Sequence, residues 1–169
     1  MASNDVLIEF GGVANNSLLN ILGNENTEHF GNMQPSVYKD ITELIHVLKS
    51  KKNNFTILSL NIQSLNSKFD QLKILISVLE ECGCKIGAIC IQETWLSDTD
   101  DTSIFQLDGY ALISQHNISS NHGGVAIYLS KAYDYNTLPL YTLSEVWDGQ
   151  FIEVKNPSAD KKYYYWEHL

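Results

Sequence analysis

Two continuous apolar runs, FTILSLNI from Phe55 and KIGAICIQ from Lys85, frame a segment with a different period. A strand buried between two layers carries apolar residues on both faces, so each run predicts a fully covered strand rather than a half-exposed one. Between them Phe69, Leu72, Ile76 and Leu79 recur at helical spacing, with Ser67 and Asp70 placed as a capping box and Gly83 as a stop. The order strand, helix, strand has the length that a right-handed crossover between parallel neighbours needs. Strands joined in this way end on the same edge of a sheet, where open α/β sheets take their ligands, so Asn61 and Glu93 are expected to converge there.

Downstream, YALISQHN, GGVAIYLS and QFIEVK read as further strands bounded by Gly, Asn and Asp, which makes the chain an α/β protein dominated by sheet. Upstream, Val37, Ile41, Leu44, Ile45 and Leu48 form one helical stripe, predicting a short amphipathic helix over about residues 36–50 with Ser36 as its N-cap. Lys49, Lys51 and Lys52 fall at its C-terminal end, where cations suit the helix dipole better than they suggest a nucleic-acid patch. Residues 1–35 are rich in Asn and Gly without a sustained period and read as a flexible leader. The expected organisation is a leader and helix over 1–53 lying outside the core, a domain over 54–160, and a tail from 161 to 169.

Composition narrows this picture. The 169 residues, 44% hydrophobic and 18% charged, supply one modest core and not two. No basic segment leads into an apolar stretch at the start, and the apolar runs at 74–79 and 86–91 are too short to span a bilayer. The expectation is an intracellular protein, in nucleus or cytoplasm, with no membrane partner. Cys82, Cys84 and Cys90 are an odd number without a second Cys/His pair at zinc spacing, and they read as structural thiols. A net charge of −9 opposes nucleic-acid binding by bulk electrostatics. All eleven basic residues are Lys, so the forked donor best suited to phosphates and guanines is absent.

A carboxylate at one strand end beside an amide from the next is what a hard cation such as Mg²⁺ accepts: few protein ligands, oxygen donors, and water completing the octahedron. Glu93 could hold the metal, while Asn61 could orient a bound water or a phosphate oxygen without adding negative charge. Spacing alone leaves open the plainer reading, in which Glu93 caps a loop and Asn61 makes an Asx-turn. The words around them add to it. LSLNIQSLNSKFDQL, then ICIQETWL, then a Gly-Tyr strand, then HGGVAIYL resembles, in order and spacing, the endonuclease/exonuclease/phosphatase superfamily, in particular the endonuclease domains of non-LTR retrotransposons. The resemblance covers about residues 55–155 and is most specific at Leu60-Asn61-Ile62 and Ile91-Gln92-Glu93-Thr94.

The resemblance implies the N-terminal half of a four-layer α/β sandwich, with two facing sheets and outer helices. It also implies a phosphodiester hydrolase that nicks DNA with Mg²⁺ or Mn²⁺, Asn61 and Glu93 as active-site residues, and Glu93 as a metal ligand. The Gly-Gly-Val-Ala-Ile strand of the family corresponds to residues 123–127. His116 and His122 read as loop residues, and Asp98, Asp100 and Asp101 as a solvated loop, since an EF-hand's glycine and terminal glutamate are missing. Two other functions stay open: a phosphatase or phosphodiesterase of the same fold acting on lipid or nucleotide phosphates, which suits the acidic charge better, and a noncatalytic interaction module.

The family's later catalytic segments do not occur in this sequence. There is no Gly-Asp-Phe-Asn, and His168 lies in Trp-Glu-His-Leu rather than Ser-Asp-His. Half of a two-sheet sandwich is expected to leave one inner face open, a surface that favours self-association, and a chain without those segments is expected to be inactive. Where the family leads an apolar strand into Asn-Ile-Tyr, this chain reads KKYYYWEHL. With an assumed A/T-rich codon choice, residues 162–169 can be written AAA TAT TAT TAT TGG GAA CAT TTA, and one base later that string reads Asn-Ile-Ile-Ile-Gly-Asn-Ile. A frame shift near Lys162 is therefore expected. Sequencing the coding DNA should find the Asp-Asn and Ser-Asp-His segments in the shifted frame, and an early stop there would remove the idea.

Overall fold

The computed structural model describes residues 6–10, 41–50, 55–115, 123–137, 152–155 and 162–165. The first long apolar run becomes strand β2 (Thr56–Asn61), the second becomes β3 (Ala88–Gln92), and helix α2 (Leu65–Glu81) connects them. β2 and β3 pair in parallel, with Asn61 opposite Gln92. The segments expected as later strands form β4 (Tyr110–Gln115), β5 (Val125–Ser130) and β7 (Ile152–Lys155). Two sheets result, one ordered β1-β2-β3-β5-β4 with β1 at Val6–Phe10, the other β6-β7-β8 with β6 at Asp134–Thr137 and β8 at Lys162–Tyr165. The chain is a mixed α/β fold: β1, β2 and β3 run parallel, and β5 turns back antiparallel against both β3 and β4.

Alternation along the central strands sorts their side chains between two cores. Leu58, Leu60, Ile89, Ile91, Ala126 and Tyr128 point to one face and pack against α2 through Leu65, Phe69, Leu72, Leu75, Ile76 and Leu79. Ile57, Ala88, Cys90, Ile127 and Leu129 point to the other and pack with Ile152 and Val154 of β7. This is why the sequence shows continuous rather than alternating apolar runs. Each fully buried Leu or Ile contributes about 1.5–3 kcal/mol relative to an exposed one. The inner face expected to lie open is thus covered by the second sheet.

Several boundaries differ from the sequence reading. α2 starts three residues earlier than its apparent capping box, because Ser64 is the N-cap and its hydroxyl oxygen accepts from the Ser67 N–H at 3.3 Å. The C-terminus follows expectation: the Gly83 N–H donates to the Glu80 carbonyl at 2.8 Å and the Cys84 N–H to that of Leu79 at 2.9 Å, a Schellman motif. Helix α1 (Ile41–Ser50) lies within the expected 36–50 span, but Leu44 and Leu48 are buried in the α2-side core, so it does not lie outside the core as expected. Ser36, Lys51 and Lys52 lie outside the described residues. Within the expected leader, Val6–Phe10 pairs with β2 as a parallel edge strand. In the expected out-of-frame tail, Lys162–Tyr165 pairs antiparallel with β7, as a run of β-favouring tyrosines can. The Cys82 thiol is half-buried and those of Cys84 and Cys90 are buried, and burial pushes the Cys84 thiol up. No described helix is long and apolar enough to cross a membrane.

Two buried tyrosines anchor connecting segments to the first sheet. The Tyr128 hydroxyl donates to the Phe105 carbonyl at 2.9 Å and the Tyr110 hydroxyl to the Ile86 carbonyl at 3.3 Å. Burial pushes both phenols above their ordinary range, and the Glu80 charge pushes Tyr110 further. A phenol whose pKa is raised on folding stabilises the fold fully below its unfolded value of about 10 and loses that contribution as pH climbs beyond it. The thermal midpoint should therefore fall steeply above about pH 10, and Tyr128→Phe should flatten that alkaline limb. Phenolate absorbance that appeared for all nine tyrosines before unfolding would contradict this.

Candidate functional site

Beyond β3 the chain does not turn away at once. It continues as Glu93-Thr94-Trp95, laced to both neighbours. On the β2 side, the N–H groups of Ile62, Ser64 and Leu65 donate to the carbonyls of Gln92, Glu93 and Thr94 at 3.1, 2.8 and 2.9 Å. On the β5 side, the N–H groups of Thr94 and Trp95 donate to the carbonyls of Gly124 and Gly123 at 3.1 and 2.9 Å. These bonds require unusual backbone. Gln63, Ser64, Glu93 and Trp95 have φ of 47°, 86°, 56° and 54°, and Gly123 and Gly124 have φ of 85° and 79°. Each left-handed residue bearing a side chain costs about 1–2 kcal/mol, so four of them along one sheet edge mark a segment held by its surroundings.

The geometry fixes Glu93. Its Oε2 accepts the Trp95 indole N–H at 2.6 Å and the Gly123 backbone N–H at 3.1 Å. Among the described residues Oε1 receives no donor. Asn61 ends β2 on the same edge, and its side-chain carbonyl oxygen is buried without a hydrogen-bond partner. The Thr94 hydroxyl, on a residue only 1% exposed, is likewise without a partner. A buried acceptor left unsatisfied costs about 1–3 kcal/mol, which a cation or an ordered water would relieve. Gln92 between them is occupied otherwise, donating through Nε2 to the Ser59 hydroxyl at 2.9 Å.

Asn61 and Glu93 thus sit on neighbouring strand ends, as the crossover predicted. Of the plainer alternatives, the Asx-turn does not describe Asn61, whose Oδ1 has no donor, whereas Glu93 does cap the loop entering β5 by accepting the Gly123 N–H, with Oε1 left over. The acidic loop is self-satisfied: Asp100 Oδ2 accepts from the Ser97 N–H and hydroxyl at 2.6 and 2.7 Å, and Asp101 caps the 3₁₀ turn Thr102–Phe105. Hydrogen bonds from the Ser103 hydroxyl and N–H hold the Asp101 carboxyl below its usual range. His116, His122 and His168 lie outside the described residues. Among the described residues no three His, Cys, Asp or Glu side chains gather as a metal cluster.

Sequence reasoning missed three participants: Trp95, Thr94 and the Gly123 amide. The Gly-Gly pair was a signal for tight backbone, but nothing in the order of residues announced left-handed conformations at a glutamate and a tryptophan. The chain matches no protein-family model, and no curated protein matches it. Function therefore rests on the residues themselves.

Gly123 carries both a hydrogen bond to Glu93 and a φ of 85° that a Cβ disfavours. Gly123→Ala should lower stability by about 1–2 kcal/mol in urea unfolding, whereas the same change at a right-handed loop position would cost little. An unchanged midpoint would show that the edge is not held as described.

Proposed function

We propose that this chain is the N-terminal part of a metal-dependent phosphodiester hydrolase of the endonuclease/exonuclease/phosphatase type, related to the endonucleases that nick DNA for retrotransposition. The observation that carries the reading is the pairing of Glu93, whose Oε1 receives no donor among the described residues, with the buried, unsatisfied carbonyl oxygen of Asn61 on the adjacent strand end. Two oxygen acceptors and one negative charge suit Mg²⁺ or Mn²⁺, which take few protein ligands and retain water. Glu93 and Asn61 would hold the ion, and a bound ion there supplies Lewis-acid polarisation of a phosphate oxygen. Asn61 also has an amide N–H₂ that can donate to a phosphate oxygen while its carbonyl faces the cation.

The layering supports the same reading. Helices, a mixed sheet and a second sheet follow one another, as three layers of a four-layer sandwich would. Both described helices lie on the side away from the second sheet, so the fourth layer belongs to the proposal alone. Activation of the attacking water and protonation of the leaving group need the later Asp-Asn and Ser-Asp-His segments, which this sequence does not contain. The chain is expected to bind metal and not to turn over. A small phosphate ester is a second reading of the same site, favoured by the charge of −9 and the absence of Arg, which leave DNA little to grip.

In a version carrying the frame-restored C-terminal segments, Glu93→Gln should abolish Mg²⁺-dependent nicking of plasmid DNA. Asn61→Ala should reduce it by about a hundredfold or more, the scale of a lost electrostatic donor. Nicking retained by Glu93→Gln would take Glu93 out of the metal site. Hydrolysis of small phosphodiesters without nicking would decide for the second reading.

A further inference from the structure

Trp95 is a large aromatic residue, 39% exposed, at the edge of the site. Its indole N–H is not spent on solvent but on Glu93 Oε2 at 2.6 Å, and the Gly123 N–H reaches the same oxygen at 3.1 Å. A carboxylate oxygen offers two lone-pair directions, so Oε2 is saturated. Both donors are neutral. Unlike Lys or Arg, they orient the carboxylate while leaving its full charge available to a cation. With left-handed backbone at Glu93 and Trp95, the indole returns to the carboxylate two residues before it.

We propose that Trp95 is a positioning residue that commits Glu93 to offering a single oxygen, Oε1, and thereby favours a small octahedral divalent cation over Ca²⁺. The inference rests on the reading of Glu93 as a metal ligand. Mg²⁺ accepts one oxygen from a carboxylate and keeps its waters at about 2.0–2.1 Å, whereas Ca²⁺ at about 2.3–2.6 Å gains from carboxylates that bind through both oxygens. With Oε2 tied down, the two-oxygen mode requires breaking at least one of its two hydrogen bonds, so the penalty falls on the larger ion. Outer-shell donors of this kind typically change metal affinity by about 10–100-fold.

The test is titration calorimetry of the full 169-residue chain with MgCl₂ and with CaCl₂, for wild type, Trp95→Phe and Glu93→Gln. Trp95→Phe keeps an aromatic ring, though a smaller one, and removes the N–H. It should bind Mg²⁺ about tenfold more weakly while its Ca²⁺ affinity holds or rises, shifting the preference toward Ca²⁺. Glu93→Gln should lose both ions. If Glu93→Gln binds Mg²⁺ as wild type does, the metal reading itself is wrong. If Glu93→Gln loses the ions but Trp95→Phe keeps both wild-type affinities, the metal reading stands and the clamp is overturned. Should Trp95→Phe fail to fold by far-ultraviolet circular dichroism, the wild-type chain decides through its indole N–H resonances. The one displaced in Glu93→Gln must also move on Mg²⁺ addition, and a resonance indifferent to Mg²⁺ overturns the proposal.

Discussion

The candidate site depends on one constraint: the three residues after β3 are hydrogen-bonded on both sides, to the loop that starts α2 and to the glycines that start β5. Five backbone bonds offset the cost of left-handed conformations at four residues that carry side chains. Removing either neighbour would leave donors and acceptors of this segment without partners, and the strain would relax. The site is therefore a property of the junction between β2, β3 and β5, and no single strand contains it.

That junction is rigid because the strands leading into it are buried on both faces. β3 is the middle strand of five, with Ile89 and Ile91 held against the helices and Ala88 and Cys90 held against the second sheet. A shift of one residue in register would exchange these two sets between cores of different shape, so the positions of Gln92 and Glu93 are fixed by packing well before the edge is reached. The antiparallel return of β5 matters equally: it brings the start of that strand, Gly123 and Gly124, to the end of β3, where a parallel strand would have brought its terminus.

What was legible in the sequence was what continuous burial writes into it. The runs from Phe55 and Lys85 named β2 and β3, the helical spacing named α2, and their order brought Asn61 and Glu93 to one edge. The failures have equally physical causes. β6, Asp134–Thr137, is exposed throughout, so no apolar pattern marked it. β1 stands at the border of an Asn- and Gly-rich stretch, and composition hid its five residues. Ser64 was overlooked as the N-cap because Ser67 and Asp70 offered the capping-box pattern three residues later, while Ser64 itself, at φ 86°, lies outside the extended range usual for a cap. Trp95 was missed because its indole meets Glu93 through left-handed backbone at both residues, one on each side of Thr94, which neither residue type prefers.

The acidic charge then takes on a specific meaning. In a basic protein a lone carboxylate at a sheet edge is readily neutralised by a Lys or Arg and becomes a structural ion pair, of little consequence on an exposed surface. Here Glu93 is hydrogen-bonded by an indole and a backbone amide instead, and among the described residues it has no ion-pair partner. Asn61 beside it contributes an oxygen with no donor, in a place where a buried amide would otherwise find one. An edge that strains four backbone positions and leaves a buried acceptor open is poor design for stability alone. Under the proposed reading, a compact cation would supply the positive partner that this edge does not contain among the described residues.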